Sequence, residues 1–359
     1  MIKTYKNVLN AMPDGVFTFD NKLCIKFMNT AFRRAFSVGK NAKRLPEILS
    51  CGETLACGKG EHCGFCAFYR AMQRAVETGT EQTETMRTSV KRTDRTDNLS
   101  VRIRIYPVNE KGKLFVGMTD VSFQSAMERE MLSARQIQQR LLPAGKSMGG
   151  IPYAYMYIPH YDVGGDMPDV YALNDDVYGV ITDVSGKGVS AGLLSAFVKA
   201  AFDKKQENLG LALDSLNAKF QELNQDERAY ITLAAVRIQP KTNTLKYAFA
   251  GHNAPILLKT ADGIHEMETP APPISTWRPD FVYEERELPY EKGNILALIT
   301  DGVTECVNAK GEMFGIDRVE NVLLQSHSAE DFIGKLKSAL GVFSGGTFSD
   351  DVTALVFDL

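Results

Sequence analysis

The sequence predicts an α+β chain, two mixed units joined by a helical linker. Three observations carry that reading. Short strand-like runs separated by turn residues fill residues 1–122, a stretch with neither Gly nor Pro covers 123–142, and from residue 150 strand-like runs alternate with two helix pairs. Many strands accompanied by paired helices indicate layered sheets flanked by helices. At 359 residues the chain has room for two domains, and its 44% hydrophobic and 24% charged content is that of an ordinary folded chain.

In the first unit, residues 15–20 and 24–28 are short strands joined through Asn21 and Lys22, a hairpin signal. Asn29 is placed to cap a helix over residues 30–36, with Phe32 and Phe36 on one face. Phe68, Met72, Ala75 and Val76 make a second helical stripe. Val101, Ile103 and Ile105 alternate, Gly112 turns the chain, and Leu114, Val116 and Met118 alternate again, as in a second hairpin. Residues 9–20 and 25–32 resemble the opening hairpin and first helix of PAS sensor domains. The resemblance implies a sensor over residues 1–122.

Cys51, Cys57, Cys63 and Cys66 place four soft ligands within 16 residues, interleaved with Gly52, Gly58, Gly60 and Gly64. Glycines let a loop wrap a small centre, and four thiolates suit Zn²⁺ or an iron–sulfur cluster. The spacing matches neither the common zinc-ribbon pattern nor that of ferredoxins. Cys63 and Cys66 alternatively read as a redox dithiol, and the plainest alternative is a loop of reduced thiols. Cys24, in an apolar strand, reads as core.

The linker, residues 123–145, carries a narrow stripe of Met127, Met131, Ala134, Ile137 and Leu141, ended by Pro143 and Gly145. Such a stripe suits a two-stranded coiled coil, and with it a homodimer through the linker and the first unit. A single helix lying on one domain is the alternative.

From residue 150, strands at 153–158, 170–173 and 177–181 lead to helices at 189–202 and 211–223. Strands at 230–238, 244–250, 256–259, 282–288 and 295–300 precede helices at 317–324 and 329–340 and a last strand at 352–357. Four aspartate-bearing segments adjoin these runs. They hold Asp166 and Asp169 after Gly164 and Gly165, Asp183 before Val184, Asp301 before Gly302, and Asp350 beside Asp351. Any one alone reads as a turn. Together, carboxylates at strand ends can converge on one sheet rim, and hard oxygen ligands suit Mg²⁺ or Mn²⁺ rather than zinc. The run Ser185-Gly186-Lys187-Gly188 opens a helix whose exposed N–H groups suit an anion. Gly164 and Gly165 let the backbone approach a ligand closely.

In this order and spacing the motifs resemble the SpoIIE/RsbU branch of PPM-type metal-dependent serine/threonine phosphatases. The resemblance runs over residues 135–359 and takes in residues 134–143 and 249–255. It implies an αββα sandwich over 150–359 with two Mn²⁺ or Mg²⁺ ions between its sheets. It implies that Asp183 bridges both ions, with the Val184 carbonyl assisting through water. Asp301 and Asp350 would complete one ion's ligands, while Asp166, with Asp169, would serve the other. Asp183 and Asp301 would then carry catalysis, with a metal-bridging hydroxide attacking phosphorus. The implied substrate is phosphoserine or phosphothreonine on a partner protein, an anti-anti-sigma regulator of STAS type.

Three departures from the family pattern stand out. Met167 and Pro168 stand where an aromatic pair is usual. Lys187 stands where His is frequent, and Lys still attracts phosphate. Ser185 aligns with the histidine that eukaryotic relatives use as general acid, which leaves His252 as a candidate acid against a structural role in its loop.

A formal charge of −3 gives no basic footprint for nucleic acid. The first six residues lack the apolar core of a signal peptide, and no run approaches the roughly 20 apolar residues that span a bilayer, so a cytoplasmic protein is expected. Two rival functions stand beside the phosphatase. A nucleotide cyclase shares the Gly164-Gly165-Asp166 run but leaves the later aspartates unexplained. A catalytically degenerate phosphatase fold would act as a signal-dependent binding module. Met167 and Pro168 favour that rival, while Asp183, Asp301 and Asp350 speak against it.

Overall fold

The structure is a computed structural model describing residues 2–19, 24–36, 66–91, 96–108 and 113–359. It divides into two compact units, Met1–Glu130 and Met131–Leu359. The division falls inside the helix expected as a linker, so the second unit takes in that helix's C-terminal part.

The first unit opens with α1 (Ile2–Ala11), a helix the sequence reading did not anticipate, then β1 (Gly15–Phe19) and β2 (Ile25–Met28). Helices α2 (Thr30–Ala35) and α3 (Ala67–Thr78) precede the long strands β3 (Gln82–Lys91), β4 (Thr96–Val108) and β5 (Lys113–Asp120). The sheet is antiparallel, ordered β2-β1-β5-β4-β3. Two-residue alternation puts Val101, Ile103, Ile105, Val116 and Met118 on the face that packs against Phe17, Phe32, Phe36 and Phe68. Asn29 caps α2 as expected: its Oδ1 accepts from the N–H groups of Phe32 and Val16, and its Nδ2 donates to the carbonyls of Leu9 and Asp14. Cys51, Cys57 and Cys63 lie outside the described residues. Cys66 stands at the N-cap of α3, partly buried against the aromatic core.

Helix α4 (Ser122–Leu141) follows. Met127 and Ile137 of its apolar stripe are exposed, and its buried residue is Gln138. Among the described residues no helix is long and apolar enough to cross a membrane.

The second unit begins with β6 (Ser147–Met148), β7 (Ile151–Ile158), β8 (Met167–Leu173) and β9 (Asp176–Val184), then α5 (Val189–Ala201) and α6 (Leu209–Glu222). Next come β10 (Tyr230–Gln239), β11 (Thr244–Ala250), β12 (Ile256–Thr260), β13 (Gly263–Met267), β14 (Ile274–Ser275), β15 (Arg286–Pro289) and β16 (Ile295–Ile299). The short α7 (Asp301–Thr304), α8 (Ile316–Leu324), α9 (Ala329–Ser344) and β17 (Val352–Asp358) complete it. One sheet runs β15-β11-β10-β9-β8 with β14 on β10, the other β13-β12-β16-β17-β7-β6.

Val177, Ile181, Val236, Leu296, Leu298, Leu355 and Phe357 fill the space between the sheets. The alternate residues of the same strands face outward. Ile295, Ala297, Ile299, Ala354 and Val356 meet α8 and α9. Tyr178, Val180, Leu233 and Ala235 meet α5 and α6. Burial on both faces explains why these strands read as unbroken apolar runs. The sheets approach closely at Gly179, where a Cβ would stand 2.6 Å from the Phe357 ring.

One predicted strand is shorter than expected. Residues 282–285 are not strand, because Tyr283 packs on the helix side and its N–H goes to the Asp214 carboxylate; pairing starts at Arg286.

Candidate active site at the sheet rim

Asp183 lies at the end of β9 opposite Thr232 of β10, whose hydroxyl donates to the Asp183 carbonyl at 3.2 Å. Asp301 opens α7 directly after β16, Asp350 precedes β17, and Asp166 precedes β8. Asp166 is 1% exposed, and Thr300 Oγ1 donates to its Oδ2 at 2.8 Å. Burial, followed by the charge of Asp183, pushes the Asp166 carboxyl well above its ordinary range. Asp183 is pushed up to about 7 by burial and then by Asp301, Asp350 and Asp351, with Lys187 opposing. The strand ends thus gather like charges in a partly desolvated corner.

Asp350 and Asp351 have different roles in that corner. Asp351 is buried, and its carboxylate accepts from the N–H groups of His160 (2.6 Å) and Gly165 (2.6 Å), with Asp166 N–H at 3.4 Å. Asp350 is half exposed and faces Lys187 Nζ at 2.9 Å. The motif glycines are required by close packing around these groups. A Cβ on Gly302 would sit 1.8 Å from the Asp351 carbonyl oxygen, and one on Gly164 would sit 2.7 Å from the Asp351 carboxylate. One on Gly165 would meet the Val184 carbonyl oxygen at 2.8 Å. The close approach expected of Gly164 and Gly165 is therefore made to the protein's own carboxylate and carbonyl.

The family described as Stage II sporulation protein E (SpoIIE) matches residues 174–359, just over half of the chain and inclusive of Asp183, Asp301 and Asp350. The chain belongs to the SpoIIE family. Phosphoserine phosphatase RsbU of Bacillus subtilis (strain 168) is 25% identical to it over 241 residues, which cover 65% of this chain and 71% of that protein. Protein IcfG of Synechocystis sp. is 26% identical over 260 residues, 63% of this chain and 41% of that longer protein. Among solved structures, the SiaA-PP2C domain of Pseudomonas aeruginosa superposes with a TM-score of 0.59 at 20% identity, over 67% of this chain and 99% of its own. The PP2C phosphatase domain of SpoIIE from Bacillus subtilis, with a fragment of its regulatory domain, gives 0.51 at 14% identity, over 85% and 77%. These likenesses establish a PP2C-type fold.

Several residues of the SpoIIE-family unit stand apart from the expected site. Asp169 is on the face of β8 turned to α5, and its carboxylate is paired with both Lys199 and Lys204, so it does not join the cluster. Strand alternation three residues beyond Asp166 decides this. His252 Nε2 lies 2.8 Å from the Ile299 carbonyl; burial holds its pKa down, so the neutral ring donates there. Ser185 Oγ donates to the Arg228 carbonyl and accepts from Tyr230 N–H, which commits it to the neighbouring loop.

Two residues the sequence reading passed over prove to matter. Asn253 Nδ2 donates to Asp301 Oδ2 at 3.1 Å. Gln138 Oε1 accepts from Gly164 N–H (3.1 Å) and Tyr157 O–H (2.7 Å), while its Nε2 donates to the Gly164 carbonyl (2.7 Å) and lies 3.2 Å from Ser195 Oγ. The signal for Asn253 was its place in the family run 249–255. Gln138 sits among look-alike glutamines and had none.

Among the described residues, no three His, Cys, Asp or Glu side chains stand close enough to hold an ion as placed. The chemistry of the donors nevertheless fits a hard divalent cation. They are carboxylate oxygens brought together by the strand ends, and the upward push on Asp166 and Asp183 registers burial and repulsion that a cation relieves.

Proposed function

We propose that this chain is a sensor-regulated, metal-dependent protein serine/threonine phosphatase. The observation that carries the reading is the crowding of Asp183 against Asp301 and Asp350, with Asp166 behind it, at one rim of the sandwich. The RsbU relative, itself named a phosphoserine phosphatase, supports the substrate class. On this reading Asp166, Asp183, Asp301 and Asp350 would hold two Mn²⁺ or Mg²⁺ ions, with the Val184 carbonyl assisting. When bound, the ions supply activation of water for attack on phosphorus and neutralise charge on the phosphoryl oxygens.

The chain's own groups do the rest. Thr300 and Asn253 orient Asp166 and Asp301 through their hydrogen bonds. Asp351 fixes the backbone of Gly165. Lys187 offers an ammonium to a phosphoryl oxygen. Ser185 and His252 are committed elsewhere and are not assigned as the general acid. Asp169 is assigned to its two lysines. The first unit is read as the PAS-like sensor, the substrate as a STAS-type regulator, and the exposed Met127 and Ile137 of α4 as part of a homodimer contact.

The test is Mn²⁺-dependent phosphate release from p-nitrophenyl phosphate and from a phosphoserine protein, with wild type beside Asp183→Ala. Ion-dependent turnover that disappears in the variant is the expected result. Equal turnover in both overturns the site assignment, and no release from either substrate favours the binding-module alternative.

A further inference from the structure

Lys187 stands between two glycines in left-handed conformations, Gly186 (φ 95°) and Gly188 (φ 74°). A Cβ at either glycine would meet nothing within 4 Å, so this turn is open on both sides of the lysine. From it the side chain crosses to the other sheet's motif. Its Nζ donates to Asp350 Oδ2 at 2.9 Å and to the Ser349 carbonyl at 2.7 Å, leaving one of the three ammonium donors unassigned. Lys187 is also the cation that opposes the upward push on Asp183. The pair is 41% and 50% exposed, and a half-exposed ion pair contributes little net stability, so a competing charge can separate it.

We propose that Lys187 is a built-in counter-cation that exchanges between two partners. With no divalent ion present it neutralises Asp350. When Asp350 turns to an ion, the ammonium is released on its flexible four-carbon stem and pairs with the substrate phosphoryl group. This rests on the ion-dependent phosphatase reading above. It adds that ion entry and anion binding are coupled through one side chain. Ion loading is then opposed by Lys187 until an anion arrives to take the ammonium, and an anion meets an ammonium already shared with Asp350 until an ion claims that carboxylate. Two observations together point this way: Lys187 pairs directly with the outermost of the clustered carboxylates, and its backbone turn is unobstructed.

The test is calorimetric titration of the full chain with Mn²⁺, and then of the Mn²⁺-loaded chain with inorganic phosphate, for wild type, Lys187→Gln and Lys187→Arg. Lys187→Gln is expected to bind Mn²⁺ roughly two- to fivefold more tightly than wild type, the reach of one half-exposed pair. It should also bind phosphate several-fold more weakly once loaded. Lys187→Arg, which keeps the charge, should remain near wild type in Mn²⁺ affinity. Unchanged or weaker Mn²⁺ binding by Lys187→Gln overturns the proposal, as does tighter Mn²⁺ binding with phosphate affinity intact. Absence of Mn²⁺ binding in wild type and variant alike is a different failure: it removes the ion-dependent reading itself, and the exchange with it.

Discussion

Asp183 holds its proton far above the ordinary carboxylate range because burial and three neighbouring carboxylates oppose its ionisation. Its folded pKa of about 7 exceeds the ordinary value of 3.8, so the folded, ion-free protein binds a proton that the unfolded chain has released. The resulting stability is fully present below the unfolded pKa and is lost as pH rises through the folded one. Asp166 shifts in the same direction. The melting temperature of the protein without added metal should therefore fall between about pH 4 and about pH 7. Asp183→Asn should flatten that fall, and a melting temperature that rises across the window contradicts the sign. Mn²⁺ competes with the same proton, so its affinity should rise with pH over that range. At this scale the sequence was partly readable. Asp183, Asp301 and Asp350 were visible because each adjoins an apolar run that had to be a strand. The division of labour between Asp350 and Asp351 was not, since neighbours in sequence differ here only in burial. Nor was the fate of Asp169, whose lysine partners lie 30 or more residues away and meet it only through packing of α5.

Helix α4 is the element whose reading changed most. Apolar periodicity selects Met127 and Ile137, yet the side chain it buries is the amide of Gln138. Periodicity is blind to a polar group that is buried because its hydrogen bonds are satisfied. Gln138 joins α4 to β7 through Tyr157 and to the loop carrying Asp166 through Gly164. Gln138→Leu keeps similar bulk but leaves the Gly164 N–H and carbonyl and the Tyr157 hydroxyl without that partner. The expected cost is about 2–4 kcal/mol, together with faster hydrogen exchange across residues 164–166. Unchanged exchange there would show that Gln138 does not hold the loop.

For the whole molecule, the four-layer arrangement of the second unit was legible because strands buried on both faces have to be continuously apolar. Its lower boundary was not, because α4 reads as one uninterrupted helix while the compact unit begins at Met131. That boundary has a measurable side. A fragment of residues 131–359 retains Gln138, whereas one of 150–359 loses it. The longer fragment should melt roughly 5–10 °C higher, and equal melting would place the boundary where the sequence first suggested. Asp351 has a consequence of another kind. It takes no proposed part in the chemistry, yet it ties down Gly165, 186 residues away in the chain, and its own backbone leaves no room for any side chain at position 302. Three motifs that look like separate inventions along the chain therefore hang on one residue. A change in the chain at position 351 would be felt at once in the loop carrying Asp166 and in the turn beside Asp301, through contacts that no single motif displays when read alone.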